Sequence, residues 1–134
     1  MVDGQGLPLG LHFDSGSVHE LKAALPTLRS IRVAQARGRP RTRPGGLAAD
    51  RGYDSIAFRS YLASRGIRHS IPMRRGAVRR FQTHPDLSSH RWKVERFFAW
   101  LNGFRRLGIR FERHSFIYHA FLILAAIMIT LRYF

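Results

Sequence analysis

Apolar residues at 56, 58, 61 and 62 fall at helical spacing, and this run lies between two short apolar stretches, Gly46 to Asp50 and Ile67 to Ile71. Asp54 or Ser55 is placed to cap the helix, Gly66 to end it, and Pro72 to stop the second stretch. Strand, helix and strand in so short a span predict a compact crossover and a parallel strand pair, with Asp50 at the C-terminal edge of the first strand. Upstream, Asp3 to Gly6 is a turn signal, and the alternation that follows predicts a strand over residues 7–13, the return arm of a hairpin. Apolar positions 18, 21, 25 and 28 predict a helix, whose regular part Pro26 is expected to end early.

Downstream, residues 73–90 are basic and irregular, and two helices are predicted over 88–107 and 115–133. At about 100° per residue, Val94, Phe97, Trp100, Leu101, Phe104 and Leu107 share the core arc of the first helix. Arg91, Glu95, Phe98, Asn102, Arg105 and Arg106 fall opposite. The second helix is almost wholly apolar from Phe116 to Leu131. That run is 16 residues long, and a membrane span needs about 20, so a buried core helix is expected, with a small basic membrane-associated protein as the weaker alternative.

Composition narrows the function classes. A chain of 134 residues with 45% hydrophobic content can build one cored domain, which excludes a disordered tail. The formal charge is +15, from 23 Lys and Arg against 8 Asp and Glu, and it calls for an anionic partner. All the basic residues but Lys22 and Lys93 are arginine. Residues 37–46, RGRPRTRPGG, have no periodicity: they form either a solvated loop or a clamp on a DNA backbone. Arg74, Arg75, Arg79 and Arg80 carry the same two readings. No cysteine is present, which excludes disulfides and thiolate metal sites. The seven histidines show no paired ligand spacing, so no zinc site is expected.

In so basic a chain the isolated acid Glu95 needs an account. Arg91 one turn before it allows an (i, i+4) ion pair worth about 0.3–0.5 kcal/mol. Alternatively, Glu95 and Asp50 hold a divalent cation, since Mg²⁺ takes oxygen ligands and one or two carboxylates with phosphate oxygens suffice. Spacing leaves both readings open. Asp54 is read as a helix cap rather than a ligand. Trp92 is read as packing against a neighbouring element or stacking on an unpaired base.

The stretches GLAADRGYDSIAFRSYLASRGIRHSIPMRRG and HRWKVERFFAWLNGFRRLGIRFERH resemble, in the same order, the C-terminal catalytic half of bacterial insertion-sequence transposases of the DDE type, in the branch related to insertion sequence five. VDGQGLPLGL resembles that family's second and third strands. The resemblance implies an α/β, RNase H-like fold with a mixed sheet and C-terminal helices, here incomplete. It implies cleavage and transfer of DNA strands by acids binding Mg²⁺ or Mn²⁺, with Asp50 as the second aspartate, Glu95 as the glutamate, and Arg91 as the arginine four residues before it. Transposon ends and target DNA are the implied partners, in a homo-oligomer when complete, in the bacterial cytoplasm with the nucleoid and not at a membrane. DNA contacts are expected from Arg91, Arg74, Arg75, Arg79, Arg80, Asn102, Arg105 and Arg106. Two positions depart from the family. Nothing matches its first aspartate, and Asn102 stands where a lysine is usual. Residues 1–134 are therefore expected to be one partial catalytic domain, lacking the first strand and the N-terminal DNA-binding region. Such a chain would bind metal weakly and act with a separate N-terminal half, or persist as a non-catalytic DNA-binding remnant competing with intact enzyme.

Overall fold

In a computed structural model, residues 1–13, 20–74 and 81–133 are described. They form an α/β arrangement: α1 (Glu20–Arg29), β1 (Gly46–Ala48), α2 (Ile56–Ser64), β2 (Arg68–Ser70), α3 (Trp92–Asn102), α4 (Arg105–Gly108) and α5 (Ser115–Leu131). Short 3-10 turns span Arg51–Tyr53 and Pro85–His90. The parallel crossover is formed as expected: Gly46, Leu47 and Ala48 pair with Arg68, His69 and Ser70. Gly66, at φ 63°, closes α2, with its N–H bonded to Ala63 C=O and that of Ile67 to Leu62 C=O. This Schellman closure turns the chain straight into β2.

Two apolar cores divide the molecule. The first joins Ala24, Leu28 and Ile31 to Leu47 of β1, Phe58 and Leu62 of α2, and Ile67 and Ile71. The second joins Phe97 and Leu101 of α3 and Leu107 of α4 to Ala125, Ala126 and Ile129 of α5. Each fully buried Leu, Ile or Phe contributes about 1.5–3 kcal/mol. The N-terminal segment stitches the cores together: Met1 and Leu9 pack on the first, Val2 and Leu11 on the second.

Several sequence expectations are corrected. In place of a strand over 7–13 there is a single antiparallel bridge, Val2 to Pro8, because Pro8 has no N–H to extend a ladder. The hairpin itself holds, since Asp3 Oδ1 accepts from the N–H groups of Gln5 and Leu7 at 2.8 and 2.9 Å. The described sheet is parallel rather than mixed, and antiparallel pairing occurs only as isolated bridges. Pro26 lies inside α1 and does not end it. The lost bond falls on the exposed side at Lys22, while Ala24 and Leu28 remain buried. The helix expected over 88–107 is broken at Gly103, and its first turn is the 3-10 segment after His84. Val94 is 36% exposed and leaves the core arc, whereas Phe97, Leu101 and Leu107 are buried as expected. α5 is not a fully buried core helix: Phe116, Ile123, Leu124, Ile127, Met128 and Leu131 are exposed. Among the described residues no helix is long and apolar enough to cross a membrane.

Asp54 does not cap α2. Ser55 occupies that position, without a side-chain bond. Instead Asp54 faces Arg59, which is only 4% exposed. Arg59 Nε donates to Asp54 Oδ1 at 2.9 Å and another of its nitrogens donates to Ile71 C=O at 2.8 Å. The Arg74 N–H donates to Asp54 Oδ2 at 2.6 Å. Burial would raise the Asp54 carboxyl. The Arg74 N–H and the Arg59 guanidinium outweigh it and hold the group below its usual value. His69 is buried beside Phe81, and burial first, then the Arg59 charge, lower its pKa.

Both shifts make the fold acid-sensitive. His69 is neutral when folded, so its share of stability is present above its ordinary value of 6.5 and lost as pH falls below it. The Asp54 share is present above 3.8 and lost as pH falls through the lowered folded value. His69 Nδ1 has no hydrogen-bond partner among the described residues, so His69→Leu removes a buried unpaired polar atom. Urea unfolding across pH is expected to show the higher-pH loss abolished by His69→Leu and the lower one kept. Asp54→Asn leaves a buried guanidinium without its counter-charge. It is expected to cost on the order of 3 kcal/mol near neutral pH, with the gap from the parent chain closing below pH 3.8; a gap independent of pH would refute the pairing.

Candidate functional site at the strand ends

Asp50 lies two residues beyond β1. Pairing continues toward it, with the Ala49 N–H donating to Ser70 C=O at 3.1 Å. The Asp50 carboxylate caps the 3-10 turn that follows, Oδ1 accepting from the Gly52 N–H at 2.8 Å. The side chain is exposed, and its second oxygen has no bond among the described residues. Four residues on, Asp54 and Arg59 tie the same turn to the end of β2. Asp50 is thus fixed by its own backbone bond on one side and by a buried ion pair on the other.

Glu95 lies in the first turn of α3, where the helix dipole favours a negative charge. It is exposed, and the ion pair with Arg91 is not formed: Glu95 has no hydrogen bond or ion pair among the described residues. α3 itself is firmly set. Lys93 Nζ donates to Gly4 C=O, and Arg96 donates to Gln5 C=O at 2.5 Å. The Arg96 guanidinium lies 4.8 Å from the ring centroids of both Trp92 and Trp100. Gly6, at φ 91°, leaves room for it, since a Cβ there would lie 2.7 Å from an Arg96 nitrogen. Trp92, the candidate stacking ring, is half-exposed with Arg96 against it. Lys93 and Arg96 were not singled out by sequence reasoning. Their signal was the Asp3–Gly6 turn, whose outward carbonyls need cationic donors.

The remaining candidates separate. Arg91, Asn102 and Arg105 are exposed, with no ion-pair partner among the described residues. Arg106 is committed to Glu112 at 2.9 Å and lies 5.5 Å from the Phe121 ring centroid. Arg74 is exposed and uses its backbone N–H on Asp54. Arg75, Arg79 and Arg80 lie outside the described residues. No group of three acid or histidine side chains able to hold a metal ion occurs among the described residues. The donor chemistry of Asp50 and Glu95 nevertheless suits a hard cation, since each offers uncommitted carboxylate oxygen to solvent.

Comparison with known proteins shows the family of the chain. The profile of the family described as "Transposase DDE domain" matches residues 1–131. A Burkholderia cepacia protein, "Putative transposase for insertion sequence element IS402", is 41% identical over 130 residues, which is 96% of this chain and 59% of the relative. The chain therefore spans about three-fifths of that relative's length. No solved structure matches. With a family match across nearly its whole length and this level of identity, the chain belongs to the DDE transposase family.

Proposed function

We propose that the chain supplies two of the carboxylates, and part of the DNA-binding surface, of a metal-dependent machine that cuts DNA at transposon ends and joins it to target DNA. The observation that carries this reading is the state of Asp50 and Glu95. In a chain with eight acids, these two face solvent and keep oxygen atoms uncommitted. Family membership supports an RNase H-like fold, and the parallel β1–α2–β2 unit is consistent with its core. Domain organisation follows the same reading: residues 1–134 act as one partial catalytic domain, and the remaining aspartate comes from a strand N-terminal to the opening hairpin, or from a separate N-terminal half. Assembly as a homo-oligomer, and action in the cytoplasm at the nucleoid, rest on the resemblance.

Asp50 and Glu95 would hold Mg²⁺ or Mn²⁺. The bound ion supplies Lewis-acid polarisation of the phosphodiester and activation of a water or 3′-hydroxyl. Asp50 is oriented for this by the Gly52 N–H, and Glu95 by the anchoring of α3 on the N-terminal turn. Arg91, exposed at the start of α3, is placed to contact phosphate near Glu95, with Arg105 further along. Asn102, where the family usually carries lysine, can hydrogen-bond but adds no charge. Two carboxylates bind a cation weakly, because ligand count and charge set affinity.

A second reading, a DNA-binding module without catalysis, is favoured by the formal charge of +15 and the many exposed arginines. Purified chain with Mg²⁺ or Mn²⁺ is expected neither to cut nor to join a transposon-end duplex, and to gain cleavage when the missing strand is supplied as a fusion or separate half. Cleavage by the chain alone that vanishes in an Asp50→Ala, Glu95→Ala double mutant would show that it needs no third acid from elsewhere. If the completed protein also fails to cut, the DNA-binding module stands. Arg91→Ala and Arg105→Ala are each expected to weaken duplex binding evenly across sequences and to lower the salt slope of log affinity by about 1; a sequence-dependent loss would assign them to base contact instead.

A further inference from the structure

The other ends of β1 and β2 carry a different charge. Neither residues 21–49 nor residues 55–85 contain an acidic side chain, and these two stretches meet in the strand pair; the acid at the start of β2 is Asp86, 3.7 Å from Arg68. Val33 and Arg41 form an antiparallel bridge, with N···O distances of 2.9 and 2.8 Å. It closes a loop that turns through Gly38 at φ 88° and leaves Arg37 and Arg39 exposed. The base of the loop is fastened to the end of α2, where Arg43 donates to Arg65 C=O at 2.7 Å. Beside that bond lies a cavity of about 200 Å³ lined by Arg29, Thr42, Arg43, Tyr61, Arg65 and Ile67.

Arg29, Arg43 and Arg65 have no carboxylate partner among the described residues. Three like charges around one cavity repel each other unless an anion lies between them. Guanidinium groups, with hydroxyls from Thr42 and Tyr61, suit phosphate oxygens. A small phosphorylated molecule could fill the cavity, but Arg37, Arg39 and Arg41 carry the positive surface on past its mouth. That continuation suits a polymer of phosphates. Arg43 and Arg65 precede β1 and β2, whereas Asp50 follows β1, so the cavity and Asp50 lie at opposite ends of the strand pair. The phosphate in this cavity is therefore not the one at Asp50.

We infer that the cavity of Arg29, Arg43 and Arg65, with the loop carrying Arg37 and Arg39, is a second contact for a DNA phosphate backbone, remote from the acids. The inference rests on the reading that the chain handles DNA. Such a contact positions a duplex without reading its sequence. It leaves Asp50 and Glu95 free to engage a different point on the same or another duplex.

Binding of the full chain to a fluorescein-labelled duplex of arbitrary sequence, followed by anisotropy across a salt series, tests this. Arg43→Gln with Arg65→Gln is expected to weaken binding about tenfold and to make the salt slope shallower by about 2. Because Arg43 also fastens the loop, Arg37→Gln with Arg39→Gln serves as a second variant at exposed positions, with a similar loss and an unchanged melting temperature. Mn²⁺ binding, read by amide line broadening, is expected to stay at the parent level in both. Unchanged affinity and slope in both pairs, while the parent binds, would overturn the second contact. A parent chain that does not bind the duplex at all would overturn the DNA reading itself. Tighter binding to vesicles of anionic lipid than to the duplex would overturn the choice of partner.

Discussion

The buried guanidinium of Arg59 ties together the elements that meet at the strand ends. It bonds Asp54, just after the turn that carries Asp50, and the carbonyl of Ile71, just after β2. Three elements are thereby locked at one point: the 3-10 turn, α2 and the end of the sheet. A buried ion pair adds little net stability over a well-packed apolar replacement, but its geometry is specific, and breaking one partner is costly. Here that specificity falls four residues from Asp50. The three-residue strands could not fix the direction of the following turn by their ladder alone.

Glu95 is placed by a different device. α3 shares little of the first core, and its buried residues belong to the second. Its relation to the strands depends on the 3-10 segment Pro85–His90, where Leu87 packs against Gly46 and Asp86 reaches Arg68 at 3.7 Å. It depends also on the N-terminal turn, which Lys93 and Arg96 grip from α3. The hairpin thus acts as a splice between the two cores. Exposed arginines lie both beside Glu95 and at the far strand ends.

Much of the first core was legible in sequence. The apolar spacing of α2, bounded by Gly66 and Pro72, specified both the crossover and the parallel pair. The predicted arc was legible for Phe97 and Leu101 of α3 and for Leu107 of α4. It failed at Val94, because the first turn is drawn toward the N-terminal turn by Lys93 and Arg96, a long-range contact that periodicity does not encode. Asp54 was misread because an acid before a helix serves equally as a cap or as the partner of an arginine, and only the tertiary fold brings Arg59 to it. α5 was misread because an all-round apolar helix looks like core, although only the side bearing Ala125, Ala126 and Ile129 is covered. Of the site, Asp50 and Glu95 were nameable from family motifs. Their uncommitted carboxylates, and the anchoring of α3, needed the structure.

The central claim is that the side chains of Asp50 and Glu95 share one cation, and paramagnetic broadening tests it most directly. Trace Mn²⁺ titrated into isotope-labelled chain should bleach the amide signals of residues 50–52 and of 94–96 together at the lowest concentrations, and Asp50→Asn should relieve both sets. Broadening confined to one set, or spread among other acids such as Asp86 and Glu112 with these two untouched, would contradict the account.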